Sequence, residues 1–169
     1  EFEIRKPLNF ISDDIRKWRL SLNASLIESS LEMFQDEYIN RLNAARDGES
    51  ISRTRDLQGQ SPFLINSNIE FLNEDTGFQY GLYYNVQGRT LEVVGTGIVP
   101  DVYTVPFHSL NFNLKKFLDE DGKSAISIKA KNILNSKKES VYESFNISDE
   151  IWTSRNQGTE ISIGYSLKF

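Results

Sequence analysis

The final stretch, EISIGYSLKF, alternates apolar and polar side chains down to its last residue. Ile161, Ile163, Tyr165, Leu167 and Phe169 share one face; Glu160, Ser162, Gly164, Ser166 and Lys168 share the other. A period of two marks a β-strand with unlike faces. Six more stretches do the same. Phe2, Ile4, Leu8 and Phe10 line up, with Lys6 the exception. Trp18, Leu20, Leu22, Ala24 and Leu26 form a second set, and Phe63, Ile65, Ile69 and Phe71 a third. Phe78, Tyr80, Leu82, Tyr84 and Val86 form the fourth. Leu110, Phe112 and Leu114 form the fifth, and Ile126, Ile128 and Ala130 the sixth. The chain is expected to be all-β, with seven antiparallel strands.

These strands are long. Most of the runs cover about 9 to 12 residues, against ~5–6 in ordinary globular strands. At ~3.3 Å per residue and a tilt of ~45°, ten residues rise roughly 23 Å. That is close to the ~25 Å apolar band of an outer-membrane β-barrel.

The connectors sort by length. ISDDIRK (11–17), NEDTG (73–77) and DEDG (119–122) are short, whereas roughly 35–60, 88–105 and 136–157 are long. Short and long alternate strictly, so in a meander all the short turns lie on one side. Transmembrane barrels have that asymmetry, with short periplasmic turns and longer extracellular loops. Phe10, Trp18, Phe71 and Phe78 fall beside the short turns, and Phe169 ends on the same side. They are expected to form one interfacial aromatic girdle.

Composition narrows the function classes. A net charge of -5 gives no basic footprint for nucleic acid. There is no cysteine, which removes disulfides and thiolate chemistry. His108 is the single histidine, and no nucleophile, base and orienting group can be assembled around it. No enzyme activity, metal or cofactor is therefore expected, and His108 reads as an interfacial or loop contact. DEDG (119–122) lacks the ligand ladder of a calcium loop, and Asp13 and Asp14 read as solvated turn residues. Gly95-Thr96-Gly97 opens no helical pattern and is no phosphate loop.

The expectation is a transmembrane β-barrel segment, with the apolar face toward lipid and the polar face toward the lumen. Arg19, Asn23, Asn66, Asn68, Glu70, Gln79, Asn85, Lys115, Lys129, Lys131 and Glu160 belong to that polar face. Single-chain bacterial barrels have even strand numbers and both termini in the periplasm. Seven strands, and a start at Glu1 rather than Met, lead to the expectation that residues 1–169 are the C-terminal part of a larger barrel. The competing reading is a soluble β-sandwich binding module, which alternation alone also describes.

Several linked motifs carry a family resemblance. EIRKPLNFI (3–11), LSLNASLIESSLEM (20–33), GQSPFLINSNIEF (59–71), YYNVQGRTLEVVG (83–95), PFHSLNFNLKKF (106–117), ISIKAKNILN (126–135) and GTEISIGYSLKF (158–169) follow one another in order. Together they resemble the C-terminal third of TonB-dependent outer-membrane receptors, in particular the Bacteroidetes type. The resemblance implies a barrel of about 22 strands with a plugged lumen, residing in the bacterial outer membrane with its C-terminus periplasmic. It implies import of a large scarce solute such as a siderophore, glycan or peptide. The implied partners are outer-membrane lipid, the rest of the barrel and its plug, and TonB acting through that plug. A surface lipoprotein and the barrel-assembly machinery, which would read the terminal aromatic, complete the set. A barrel that serves as a structural subunit of an outer-membrane complex is the alternative within this class.

The long connectors are where a solute or a partner would be met. Tyr38, Arg41, Arg46, Arg53 and Arg55 lie in the first, Arg89 and Tyr103 in the second, and Tyr142, Trp152 and Arg155 in the third. Arginine beside aromatics suits capture of a glycan, peptide or chelate. Arg53, Arg55, Arg89, Tyr103, Tyr142, Trp152 and Arg155 are the candidate contacts.

Overall fold

A computed structural model describes residues 1–10 and 17–169, with the side chain of Phe10 left aside. The short connector 11–17, with Asp13 and Asp14, thus lies almost wholly outside the described residues. In chain order the elements are β1 (Phe2–Pro7), β2 (Trp18–Leu26), β3 (Ser30–Glu32), α1 (Gln35–Ala44), β4 (Thr54–Asp56), β5 (Phe63–Asn73), β6 (Phe78–Gln87) and β7 (Thr90–Val93). They continue as β8 (Asp101–Thr104), β9 (Phe107–Phe117), β10 (Ser124–Lys131), β11 (Lys137–Glu143), β12 (Glu150–Asn156) and β13 (Glu160–Leu167).

The described residues are all-β apart from α1 and one 3-10 turn, and every strand pair among them is antiparallel. The main sheet has seven strands in the order β1-β2-β5-β6-β9-β10-β13. These are the seven alternating stretches, each beside its sequence neighbour. The register keeps their faces together: Ile4 lies opposite Leu22, Leu20 opposite Ile69, Ile69 opposite Leu82, Leu82 opposite Phe112, Phe112 opposite Ala130 and Ala130 opposite Ile161. One largely apolar face therefore runs from β1 to β13, with Lys6, Ser67 and Lys116 among its polar members. The other row is polar: Arg19, Glu70, Gly81, Asn113 and Lys129 follow one another across the sheet.

Two ends of strands depart from expectation. Leu8 and Phe10 do not continue β1; they form a 3-10 turn. Pro7 ends the ladder because it has no N–H to donate. At the other end β13 stops at Leu167 rather than running through Phe169. The Lys168 N–H still donates to Lys123 O at 2.8 Å, and Phe169 is fully exposed beyond it.

The long connectors are not irregular. Residues 27–62 hold β3, α1 and β4. Residues 88–106 and 132–159 build a four-stranded sheet in the order β12-β11-β8-β7. Each of its strands prolongs a main-sheet strand past a short break: β6 into β7, β8 into β9, β10 into β11, β12 into β13. The neighbour order is preserved across the break. The smaller sheet thus extends the larger one at its long-loop end and does not stack upon it.

Gly88 sits at the first of these breaks. A Cβ there would meet the Phe63 ring at 2.7 Å, so the break is built on the absence of a side chain. Bulges then re-aim the strands. Leu91 pairs with Tyr103 and Val93 with Val102, leaving Glu92 as the extra residue; Trp152 is the corresponding extra residue opposite β11.

Little of this is buried. The dry apolar positions are Met33, Val86, Leu91, Val102, Ala125 and Val141, and three of them belong to the smaller sheet. The chain exposes 11680 Å², where a compact monomer of 19.4 kDa exposes about 8,500 Å². The main sheet is open. Its edges are β1 and β13. On β13, Ile161, Ile163 and Tyr165 are each more than three-fifths exposed.

Candidate functional site

The three long connectors meet around Tyr103 in β8. Its hydroxyl donates to Asp56 at 3.4 Å, a long bond, and the Arg89 guanidinium lies 4.9 Å from its ring centre. Arg89 binds Glu143 at 2.7 Å and Asp149 at 3.0 Å. Arg41 of α1 binds Asp101 through two parallel bonds of 2.9 and 2.8 Å. Glu37 accepts from Arg55 at 2.7 Å and lies 3.6 Å from Arg41. Asp101 also accepts the Gly95 N–H at 2.7 Å, which closes the tip of the β7–β8 hairpin. Two groups of ion pairs thus flank Tyr103, one joining α1, β4 and β8 and the other joining Arg89 to the β11–β12 hairpin.

Electrostatics in this cluster favour a fixed charge pattern. Burial pushes the Tyr103 phenol well above its ordinary value, and the carboxylates of Asp56, Asp101 and Glu143 push it further. It stays a neutral donor. The hydrogen bonds to Asp101 raise the Arg41 pKa against the opposing effect of burial, with Glu37 adding to the rise.

Other predicted basic residues are also engaged. Arg53 lies over the Tyr38 ring at 4.4 Å and donates to Gln35 at 3.0 Å. Arg46 donates to the Phe145 carbonyl at 3.3 Å. The cluster therefore unites Arg41, Arg55, Arg89 and Tyr103, with Arg53 and Tyr38 beside α1. Tyr142 lies on β11 opposite Val102 and Glu150. Trp152 and Arg155 lie on β12, the edge strand, and join no hydrogen bond or ion pair of the cluster among the described residues. The carboxylates Glu37, Asp56, Asp101, Glu143 and Asp149 were not singled out from sequence. Glu37 and Arg41, four apart on one helix, were the one pair within reach of local spacing.

Two clefts bear on binding. One of about 520 Å³ opens between α1 and the two hairpin tips; Arg46, Glu49, Ile98, Tyr103 and Phe145 are among its walls. Another of about 480 Å³ opens on the polar face of the main sheet, lined by Arg19, Glu70, Tyr83, Asn113, Lys115 and Lys129. Tyr83 donates to Glu70 at 2.9 Å. Its ring lies across Gly81, where a Cβ would meet the ring at 3.1 Å. Elsewhere on this face Asn85 donates to Asn66 at 2.6 Å and Lys131 binds Glu160 at 3.2 Å.

At the short-turn end, Trp18 and Phe71 lie edge to face at 5.2 Å, and Phe71 stacks on Tyr80 at 4.7 Å. Phe78 stands at the start of β6 beneath the Lys116 ammonium, 4.6 Å away. Tyr80 completes a cluster of which sequence reading named only Trp18 and Phe71. His108 lies at the opposite end of the apolar face, its Nδ1 2.6 Å from the Tyr84 hydroxyl. Asp119 in the third short turn accepts the Lys123 and Ser124 N–H groups at 2.7 and 2.6 Å. The Ser124 hydroxyl, then these amides, hold its carboxyl below the usual range. The described residues contain no acid or histidine cluster that could hold a metal ion.

Comparison with models of protein families, with curated proteins and with solved structures found no match to this chain.

Proposed function

We propose that residues 1–169 are one part of the wall of a large transmembrane β-barrel, in a bacterial outer-membrane receptor of the TonB-dependent, Bacteroidetes type. In this reading the whole protein imports a large scarce solute. The apolar face insulates against lipid, the polar face lines the lumen around a plug, and the smaller sheet with α1 stands outside the cell. The chemistry is gated uptake without covalent steps.

The observation that carries the reading is the sidedness of the main sheet. Seven strands, six of them 8 to 11 residues long, share one apolar face, and no other described element covers it. In water that face would lose the burial that stabilises a sheet. In hydrocarbon it needs no cover. A β-sandwich would require a second sheet stacked upon it, whereas the smaller sheet prolongs the strands instead. In a seven-stranded meander β1 and β13 run the same way, so further strands are needed for an antiparallel closure.

One observation favours the structural-subunit alternative for the loops. Arg41, Arg55 and Arg89 are occupied by internal carboxylates and so are poorly placed to catch an anionic solute.

The deciding experiment is the intact mass of the native chain in purified outer membranes, with peptide sequencing upstream of Glu1. A mass several times 19.4 kDa, with a plug upstream, is expected. A 19.4 kDa chain that stays in solution without detergent would overturn the reading. Solute uptake that depends on TonB separates the transporter from the structural subunit.

A further inference from the structure

We infer that the apolar face carries a docking surface for anionic phospholipid headgroups at its short-turn end, built around Lys6 and Lys116. The inference rests on the membrane reading above.

Across the seven long strands, the apolar face holds two formally charged side chains, Lys6 and Lys116, and no carboxylate. Both occupy the same rung of their hairpins. Lys6 pairs with Leu20 one step before the last pair, Pro7 with Arg19. Lys116 pairs with Ile126 one step before the last pair, Phe117 with Ala125. Each lysine thus stands one rung inside the end of its own hairpin's ladder. A lysine facing lipid costs roughly 2–4 kcal/mol at the bilayer midplane and about 0–1 kcal/mol near the interface. A lysine near the end of a ladder is therefore least costly where that end meets the headgroups.

The surroundings fit that level. The Trp18–Phe71–Tyr80 cluster lies between the two lysines, and aromatic rings of this kind collect at membrane interfaces. Lys116 donates to the Thr76 carbonyl and rests over Phe78, so its ammonium is held near the turn. Lys6 is exposed, and neither lysine has a carboxylate partner among the described residues. Acids of the described turns are already engaged: Asp75 with Lys17, Asp121 with Lys123, Asp119 with its own turn amides; Asp13 and Asp14 of the first turn lie outside the described residues. Glu74 and Glu120 lie in the turns, beyond the last rung. A face whose formal charges are both positive and lie near the ends of its strands selects a lipid with net negative charge over a zwitterionic one.

The test uses the complete native protein in mild detergent, titrated with phosphatidylglycerol or phosphatidylcholine and read by native mass spectrometry. The wild type is expected to retain phosphatidylglycerol preferentially. Lys6→Gln with Lys116→Gln is expected to lower that preference by about fivefold per lysine, and Lys6→Arg with Lys116→Arg to keep it. Heat-modifiable gel migration verifies that each variant is folded. Uptake of both lipids without preference, or a preference that survives the Gln variants, overturns this inference and leaves the membrane reading standing. A protein that takes up neither lipid and needs no detergent overturns both.

Discussion

Tyr103 of the second long connector reaches the first through its hydroxyl bond to Asp56 and lies against Arg89. Because its neutral form is favoured by burial and by three carboxylates, its contribution to stability is complete below the ordinary value of 10.0. That contribution is lost as pH rises above it. Alkaline titration at 295 nm of folded wild type and Tyr103→Phe is therefore expected to superimpose up to about pH 11. One fewer phenol titrating near pH 10 in the variant would contradict the burial argument. Arg41→Ala removes both bonds to Asp101, whose side chain is only 14% exposed. A loss of about 1.5–3 kcal/mol in local stability is expected. It is read as faster amide exchange in α1 and at the β7–β8 tip; unchanged protection would show the pair to be dispensable. The basic residues of this cluster were legible as loop arginines. Their partners were not: Arg41 and Asp101 are 60 residues apart, and so are Arg89 and Asp149. No local period couples residues at that distance.

At the level of elements, legibility followed length. The seven main strands had enough alternating positions to fix both existence and face, and the register keeps those faces except at Leu8 and Phe10, which lie outside β1. β3, β4, β7 and β8 have three or four residues each, too few for a period of two to stand out. α1 has no buried residue and a weak apolar stripe. Pro7 was visible, yet its effect on the first strand was not anticipated. The hairpin tips rest on local chemistry that can be tested. A Cβ at Gly95 would lie 2.2 Å from the Val99 carbonyl oxygen and 2.5 Å from the Pro100 carbonyl carbon, both backbone atoms that cannot swing away. Gly95→Ala is expected to cost about 1–3 kcal/mol and to free the β7–β8 hairpin from Asp101. Limited proteolysis at the tip reads this out, and wild-type resistance in the variant would refute it. The Asp119 turn responds to pH instead. Its carboxylate is held below the usual range, so its support is present above that range and lost as pH falls through the lowered value. Amide exchange at Lys123 and Ser124 is expected to accelerate on acidification in wild type. Asp119→Asn should abolish that dependence.

For the whole molecule, the question is which medium the apolar face meets, and neighbouring residues on β2 can decide it. Leu22 and Ser21 stand at the middle of the strand, at the same depth, on opposite faces. Leu22 belongs to the apolar row between Ile4 and Ser67, and Ser21 to the polar row beside Asn68. In a lipid-embedded wall a lysine at position 22 meets hydrocarbon, whereas a lysine at position 21 meets the lumen. Leu22→Lys is then expected to cost about 2–4 kcal/mol, and Ser21→Lys within about 0.5 kcal/mol of nothing. Urea unfolding of the complete protein in bilayers measures both. If the main sheet faced water on both sides, the two substitutions would cost alike, because an uncovered leucine loses little on becoming a solvated lysine. If the apolar face were the core of a sandwich, Leu22→Lys would again be costly, but the protein would keep its fold without lipid or detergent. A large asymmetry that disappears with the bilayer is the one result that only a membrane-spanning wall produces.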